Sequence, residues 1–145
     1  MIGAVLVTHG GLGDALLEVA ALIAGSPVEG ITSVSLGPSD SADRQAEQIR
    51  AAVGSFEEGC VILTDLFGGT PQNLALTLLE EDRVDVVSGV NLPMLLGLVA
   101  ARRQHDDVHA IANRLHSVAR SSMVVASDTL RRQAEMSREL PAVRS

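Results

Sequence analysis

The sequence predicts an α/β fold: a three-layer sandwich with helices covering both faces of a mainly parallel sheet. Three observations point there. Apolar runs of strand length, such as "IGAVLVT" and "CVILT", are nearly continuous, as expected of parallel strands buried on both faces. Between them lie stripes of apolar residues at helical spacing. The two patterns alternate along the chain, which is the order expected of strand–helix–strand units.

The first strand is expected over 2–8. Leu12, Leu16, Val19, Ala20 and Ile23 then form one stripe of a helix that stops near Gly25. A second strand follows at about 31–36, and Ala42, Ala46, Ile49 and Val53 mark a helix that starts after Asp40 and stops at Gly54. "CVILT" is the third strand, over 60–64, with a helix from about Pro71 to Glu80; "VDVVS", over 84–88, is the fourth. Pro93 suits the first turn of a helix over about 92–103, where its missing N–H costs nothing. Val108, Ile111, Ala112, Leu115, Val118 and Ala119 mark another helix, with Asp106 or Asp107 as its N-cap. A short run, "MVVA" (123–126), and a brief polar helix complete the pattern.

Composition bounds the function. The 145 residues suit one domain spanning 1–145, with no repeat or linker. No apolar run approaches the roughly 20 residues of a membrane span, and the N-terminus lacks the basic start of a signal peptide, so a soluble cytoplasmic protein is expected. The single cysteine, Cys60, opens an apolar run and reads as a buried thiol. The net charge of −7, with Phe56 and Phe67 the only aromatic residues, offers neither the basic face nor the stacking rings of a nucleic-acid binder.

In an open parallel sheet, ligands bind beyond the carboxyl ends of the strands. Three strands end there in polar or glycine-rich segments: "THGG", "TDLFGGTPQN" and "SGVNLP". His9, Asp65, Thr70 and Asn91 are therefore expected along one edge. Each has an ordinary reading, Thr70 and Asn91 above all as helix N-caps. His9 and Asp65 gain weight together, because first and third strands are commonly neighbours in such sheets. A carboxylate that accepts the Nδ1 hydrogen fixes the imidazole tautomer and leaves the Nε2 lone pair free, which makes the ring a base or a nucleophile. No "GxSxG" elbow supplies a serine for it to serve. The N–H groups of "FGGT", at a helix start, and the Thr70 hydroxyl suit a phosphate.

Rival motifs are weaker. "HGGLGDAL" has Leu16 where a dinucleotide loop needs its third glycine, and the chain holds no "GK[ST]". "QHDDVH" places His105 and His109 at a spacing that could hold a metal on a helix, but a solvated helix start is the simpler reading. His116 falls on the polar side of that helix.

Taken together, "VLVTHGGLGDAL", "VILTDLFGGTPQN" and "VVSGVNLPMLL" resemble the IIA domain of the mannose family of the bacterial phosphoenolpyruvate-dependent sugar phosphotransferase system, in the right order and across essentially the whole chain. The resemblance implies that His9 takes a phosphoryl group on Nε2 from phosphorylated HPr and passes it to a separate IIB protein during carbohydrate uptake. It implies that Asp65 orients the other ring nitrogen, that the Thr70 hydroxyl lies close to the phosphoryl group, and that Gly10, Gly68 and Gly69 line the phosphoryl position. It further implies no metal or organic cofactor, and a membrane role only through IIC and IID components. A homodimer is implied in which a C-terminal strand, here 121–127, is exchanged to complete the partner's sheet. Two other outputs belong to the same domain type: a regulatory module whose phosphorylation state controls binding to a target, and the phosphoryl donor of a dihydroxyacetone kinase.

Overall fold

The computed structural model describes residues 1–139. Along β1 (Gly3–His9) successive side chains enter opposite faces of the sheet: Ala4 and Leu6 join one apolar cluster, Val5 and Val7 the other. The third strand in the chain, β3 (Cys60–Thr64), repeats the split, with Val61 and Leu63 on the first face and Cys60 and Ile62 on the second. A continuous apolar run is thus two half-runs, each facing its own helical layer.

The edge strands are β2 (Ile31–Leu36) and β4 (Val84–Ser88), and the sheet runs β2-β1-β3-β4 with every pair parallel. On the first face pack α1 (Leu12–Ala24), α4 (Leu92–Gln104) and α5 (Val108–Ser122), which supply Ala20, Leu95, Leu98, Ile111 and Leu115. The second face is covered by α2 (Ala42–Gly54) and α3 (Thr70–Leu76) through Ile49 and Ala75. Three layers around a four-stranded parallel sheet is the expected architecture.

Local chemistry sets the boundaries. Ser41 caps α2 by accepting the Arg44 N–H, and Asn91 and Asp107 cap α4 and α5 in the same way. Gly25, at φ +79°, closes α1. Helix α3 ends at Leu76, short of the expected Glu80: Thr77, Leu78 and Leu79 donate to carbonyls three residues back, and Glu80 pairs with Val84 instead. Gly13 lets α1 lie close on the sheet, since a Cβ there would meet the Ser33 hydroxyl at 2.4 Å.

The expected C-terminal strand is not formed within this chain. Ser122 ends α5 and Ala126 begins α6 (Ala126–Glu139), so of 121–127 only Met123–Val125 lies outside a helix. These three side chains are exposed, as is every residue of α6 except Thr129. The single-domain expectation for 1–145 extends over residues 140–145, which lie outside the described residues. No helix among the described residues is long and apolar enough to cross a membrane.

Candidate functional site

The strand order creates one crevice where the direction of chain progression reverses. After β1 the chain goes to β2 on one side, then returns to form β3 on the other, so the loops following β1 and β3 diverge. That is where an open parallel sheet offers room for a ligand. His9 is the last residue of β1 and Asp65 immediately follows β3.

The two residues meet. One oxygen of Asp65, Oδ2, accepts the backbone N–H of His9 at 2.9 Å and lies 2.7 Å from its ring Nδ1. The other oxygen accepts the Leu66 N–H at 3.0 Å. Burial disfavours the Asp65 charge, yet the His9 N–H, the His9 ring and the Leu66 N–H outweigh it and hold the carboxyl below its usual range. An ionised carboxylate only accepts, so Nδ1 carries the hydrogen that is shared with Asp65, and in the neutral ring the lone pair is on Nε2. The aspartate side chain is 8% exposed and that of the histidine 53%, so the carboxylate is sheltered while the ring is half open to solvent.

The surroundings of the ring are bare. Gly69 abuts it: a Cβ at that position would lie 3.0 Å from His9 Cε1 and 3.6 Å from Nε2. Gly10 (φ +52°) and Gly68 (φ +93°) adopt left-handed backbone beside open space, so the loops turn sharply without covering the histidine. Leu66 and Phe67 stand exposed on the same loop. This open, apolar-rimmed surface suits a protein that must bring its own reactive group to the ring.

Two of the other expected residues are placed differently from each other. Thr70 does not cap α3: Gly69 is the N-cap, because the first helical hydrogen bond runs from the Asn73 N–H to the Gly69 carbonyl. Thr70 is exposed at the first helical position. Asn91 is a true cap, with Oδ1 3.0 Å from the Met94 N–H, and its amide reaches the Ser122 hydroxyl at 3.5 Å. Away from the crevice, His109 pairs through Nδ1 with Asp85 at 2.7 Å and through Nε2 with Asn113 at 3.0 Å. Cys60 is fully buried, and burial pushes its thiol up to about 11 despite the opposing charge of Arg83, which makes it inert.

A buried polar network behind the site was not foreseen. Gln72 Oε1 accepts the Thr64 hydroxyl at 2.5 Å and the Ser88 hydroxyl at 2.6 Å. On the other side of the crevice, Thr8 Oγ1 accepts the Gly13 N–H at 2.9 Å and ties β1 to the start of α1. The signal was present in the sequence: all four strands carry a hydroxyl residue, Thr8, Ser35, Thr64 or Ser88, at or next to their carboxyl ends.

Comparison with known proteins bears on this arrangement. The EIIA-man family, described as "PTS system fructose IIA component", matches residues 3–116. A fructose-specific EIIA component of the phosphotransferase system (PTS) from Bacillus subtilis (strain 168) is 31% identical over 133 residues, covering 90% of each chain. A mannose-specific EIIAB component from Escherichia coli (strain K12) is 30% identical over 104 residues; these cover 70% of this chain and 32% of that longer protein. Among solved structures, the EIIA component from Streptococcus agalactiae superimposes with a TM-score of 0.80 at 28% identity, covering 88% of this chain and 99% of the other. The chain belongs to the EIIA-man family, and is thus a mannose-family EIIA component of the phosphotransferase system, whose work is phosphoryl transfer in sugar uptake.

Proposed function

We propose that His9 is the phosphoryl acceptor, loaded by phosphorylated HPr and discharged to a IIB protein during carbohydrate uptake. The observation that carries this reading is the 2.7 Å contact between Nδ1 of the half-exposed His9 ring and a sheltered Asp65, which leaves Nε2 as the ring nitrogen not engaged by the carboxylate. The bond from Nε2 to phosphorus forms as the donor's nitrogen–phosphorus bond breaks, and the electron pair of that bond returns to the donor's ring. Charge spreads over the phosphoryl oxygens in a loose, in-line transition state, so catalysis consists mainly of positioning two imidazoles. The His9 ring gains positive character as the new bond forms, and the Asp65 carboxylate stabilises it. Backbone at Gly10, Gly68 and Gly69 and the Thr70 hydroxyl surround the phosphoryl position, and their lack of bulk admits the donor's histidine. That the E. coli relative is an EIIAB component supports a B component as the next acceptor.

The active form is a homodimer in which Met123–Val125 pairs with the partner's sheet. These residues are exposed between two helices, and β4 is an edge strand whose outer side, beyond the Glu80–Val84 bridge, has no strand beside it among the described residues. Light scattering after gel filtration reports twice the chain mass if this holds, and Val124→Asp converts the protein to monomer.

The central test is incubation with phosphoenolpyruvate, Enzyme I and HPr, followed by phosphosite mapping. Phosphate on His9 is expected, acid-labile and alkali-stable. Persistence of such a phosphate in His9→Ala rejects the assignment. Discharge of the loaded protein by a purified IIB protein, at a rate comparable with loading, tests the second half of the reaction.

A further inference from the structure

We infer that Gln72 is a positioning residue for transfer at His9, setting the height of the α3 start above the imidazole. The inference rests on the reading of His9 as acceptor. Gln72 is 3% exposed, and its single Oε1 is held by hydroxyls from two different strands, Thr64 of β3 and Ser88 of β4. Those two residues are themselves paired neighbours in the sheet. Their strand ends are firmly fixed, since the Thr64 carbonyl accepts the N–H groups of both Gly89 and Val90 at 2.9 Å. The glutamine is therefore anchored to two strand ends that are hydrogen-bonded to each other.

Helix α3 needs that anchor. It has seven residues, of which only Pro71, Gln72 and Ala75 are buried. A helix this short has little stability of its own and sits where its contacts hold it. Gln72 is less than one turn from Gly69, so the two move together. Gly69 in turn lies close enough to the His9 ring that an added Cβ would come within 3.0 Å of Cε1. A methionine at 72 would fill the same space without needing two hydroxyl partners. What the amide oxygen adds is direction: two short hydrogen bonds define where the helix start lies, and hence the gap between Gly69 and Nε2.

A structural role and a positioning role separate experimentally. In rapid-quench loading by phosphorylated HPr, Gln72→Met is expected to lower the rate at saturating donor roughly tenfold while moving the half-saturating donor concentration less than about twofold. Thr64→Ser, which keeps the hydroxyl, retains the wild-type rate. The triple variant Thr64→Val, Gln72→Met, Ser88→Ala removes every member of the network, leaving no polar group stranded. It is expected to recover thermal stability relative to Gln72→Met but to remain slow. Wild-type speed in Gln72→Met overturns the inference, as does a triple variant that regains rate together with stability. If Gln72→Met does not fold, the triple variant decides alone by the same criterion. Failure of the wild-type protein to take phosphate on His9 removes the acceptor reading and this inference with it, an outcome distinct from equal rates in wild type and variants.

Discussion

His9 and Gly69 are in contact distance across the crevice: the glycine leaves only enough space that a Cβ added to it would meet the imidazole Cε1 at 3.0 Å. A methyl group at 69 forces the ring aside by a few tenths of an ångström, without burying or exposing any core residue. Gly69→Ala is therefore expected to fold normally and to load from phosphorylated HPr about tenfold more slowly, because in-line transfer is sensitive to small misplacements of the nucleophile. Stopped-time phosphorylation assays beside a thermal melt check both halves of the expectation.

Asp65→Asn keeps the shape of the orienting side chain and removes its charge. Loading is expected to slow by about 10²-fold or more, since the variant neither fixes the tautomer nor stabilises the cationic ring. The same variant reveals a pH dependence of stability. The Asp65 carboxyl is held below its ordinary 3.8 in the folded protein, so its stabilising contribution is complete above that value and is lost as pH falls through the lower folded value. Melting curves of wild type and variant should differ by a constant amount near neutrality and converge only in strong acid.

His109 offers the opposite sign. Its hydrogen bond to Asp85 and the charges of Asp85 and Asp107 hold the imidazole above its ordinary 6.5 in spite of some desolvation. The ion pair is thus complete below that pH and is lost as pH rises through the folded value. A histidine-resolved NMR titration should place its midpoint above 6.5, and Asp85→Asn should bring it down.

Asn91→Ala distinguishes a cap from a catalytic group. It removes the bond to the Met94 N–H and is expected to cost about 1 kcal/mol of stability. Loading of His9 should stay within about twofold of wild type, because the residue acts on α4 and not on the imidazole. Denaturant midpoints and loading rates measured on one preparation check it.

How much of this was legible beforehand follows from what each pattern encodes. The expected bounds of β2, β3 and β4 coincide with the structure, because apolar runs bounded by glycine and polar residues mark buried strands sharply. His9 and Asp65 were legible as a pair because a parallel sheet aligns the carboxyl ends of its strands. The length of α3 was not, since Leu78 and Leu79 continue the apolar pattern while the backbone has already tightened toward the Glu80–Val84 bridge. Gln72 escaped notice because a glutamine in a first helical turn is usually solvated; only the three-dimensional meeting of β3 and β4 ends gives it two partners. The expected strand over 121–127 was not legible correctly, because α5 and α6 take up all of that run but Met123–Val125.

At the opposite edge of the sheet, Arg102 of α4 donates to the carbonyls of Ile2, Glu29 and Gly30. One residue thereby clasps the beginnings of β1 and β2. The Gly30 carbonyl also accepts the Ala4 N–H at 3.0 Å, so the guanidinium, 100 residues beyond Ile2, joins the first strand pair to α4. A helix from the second half of the chain thus holds together the amino ends of two strands from its first quarter.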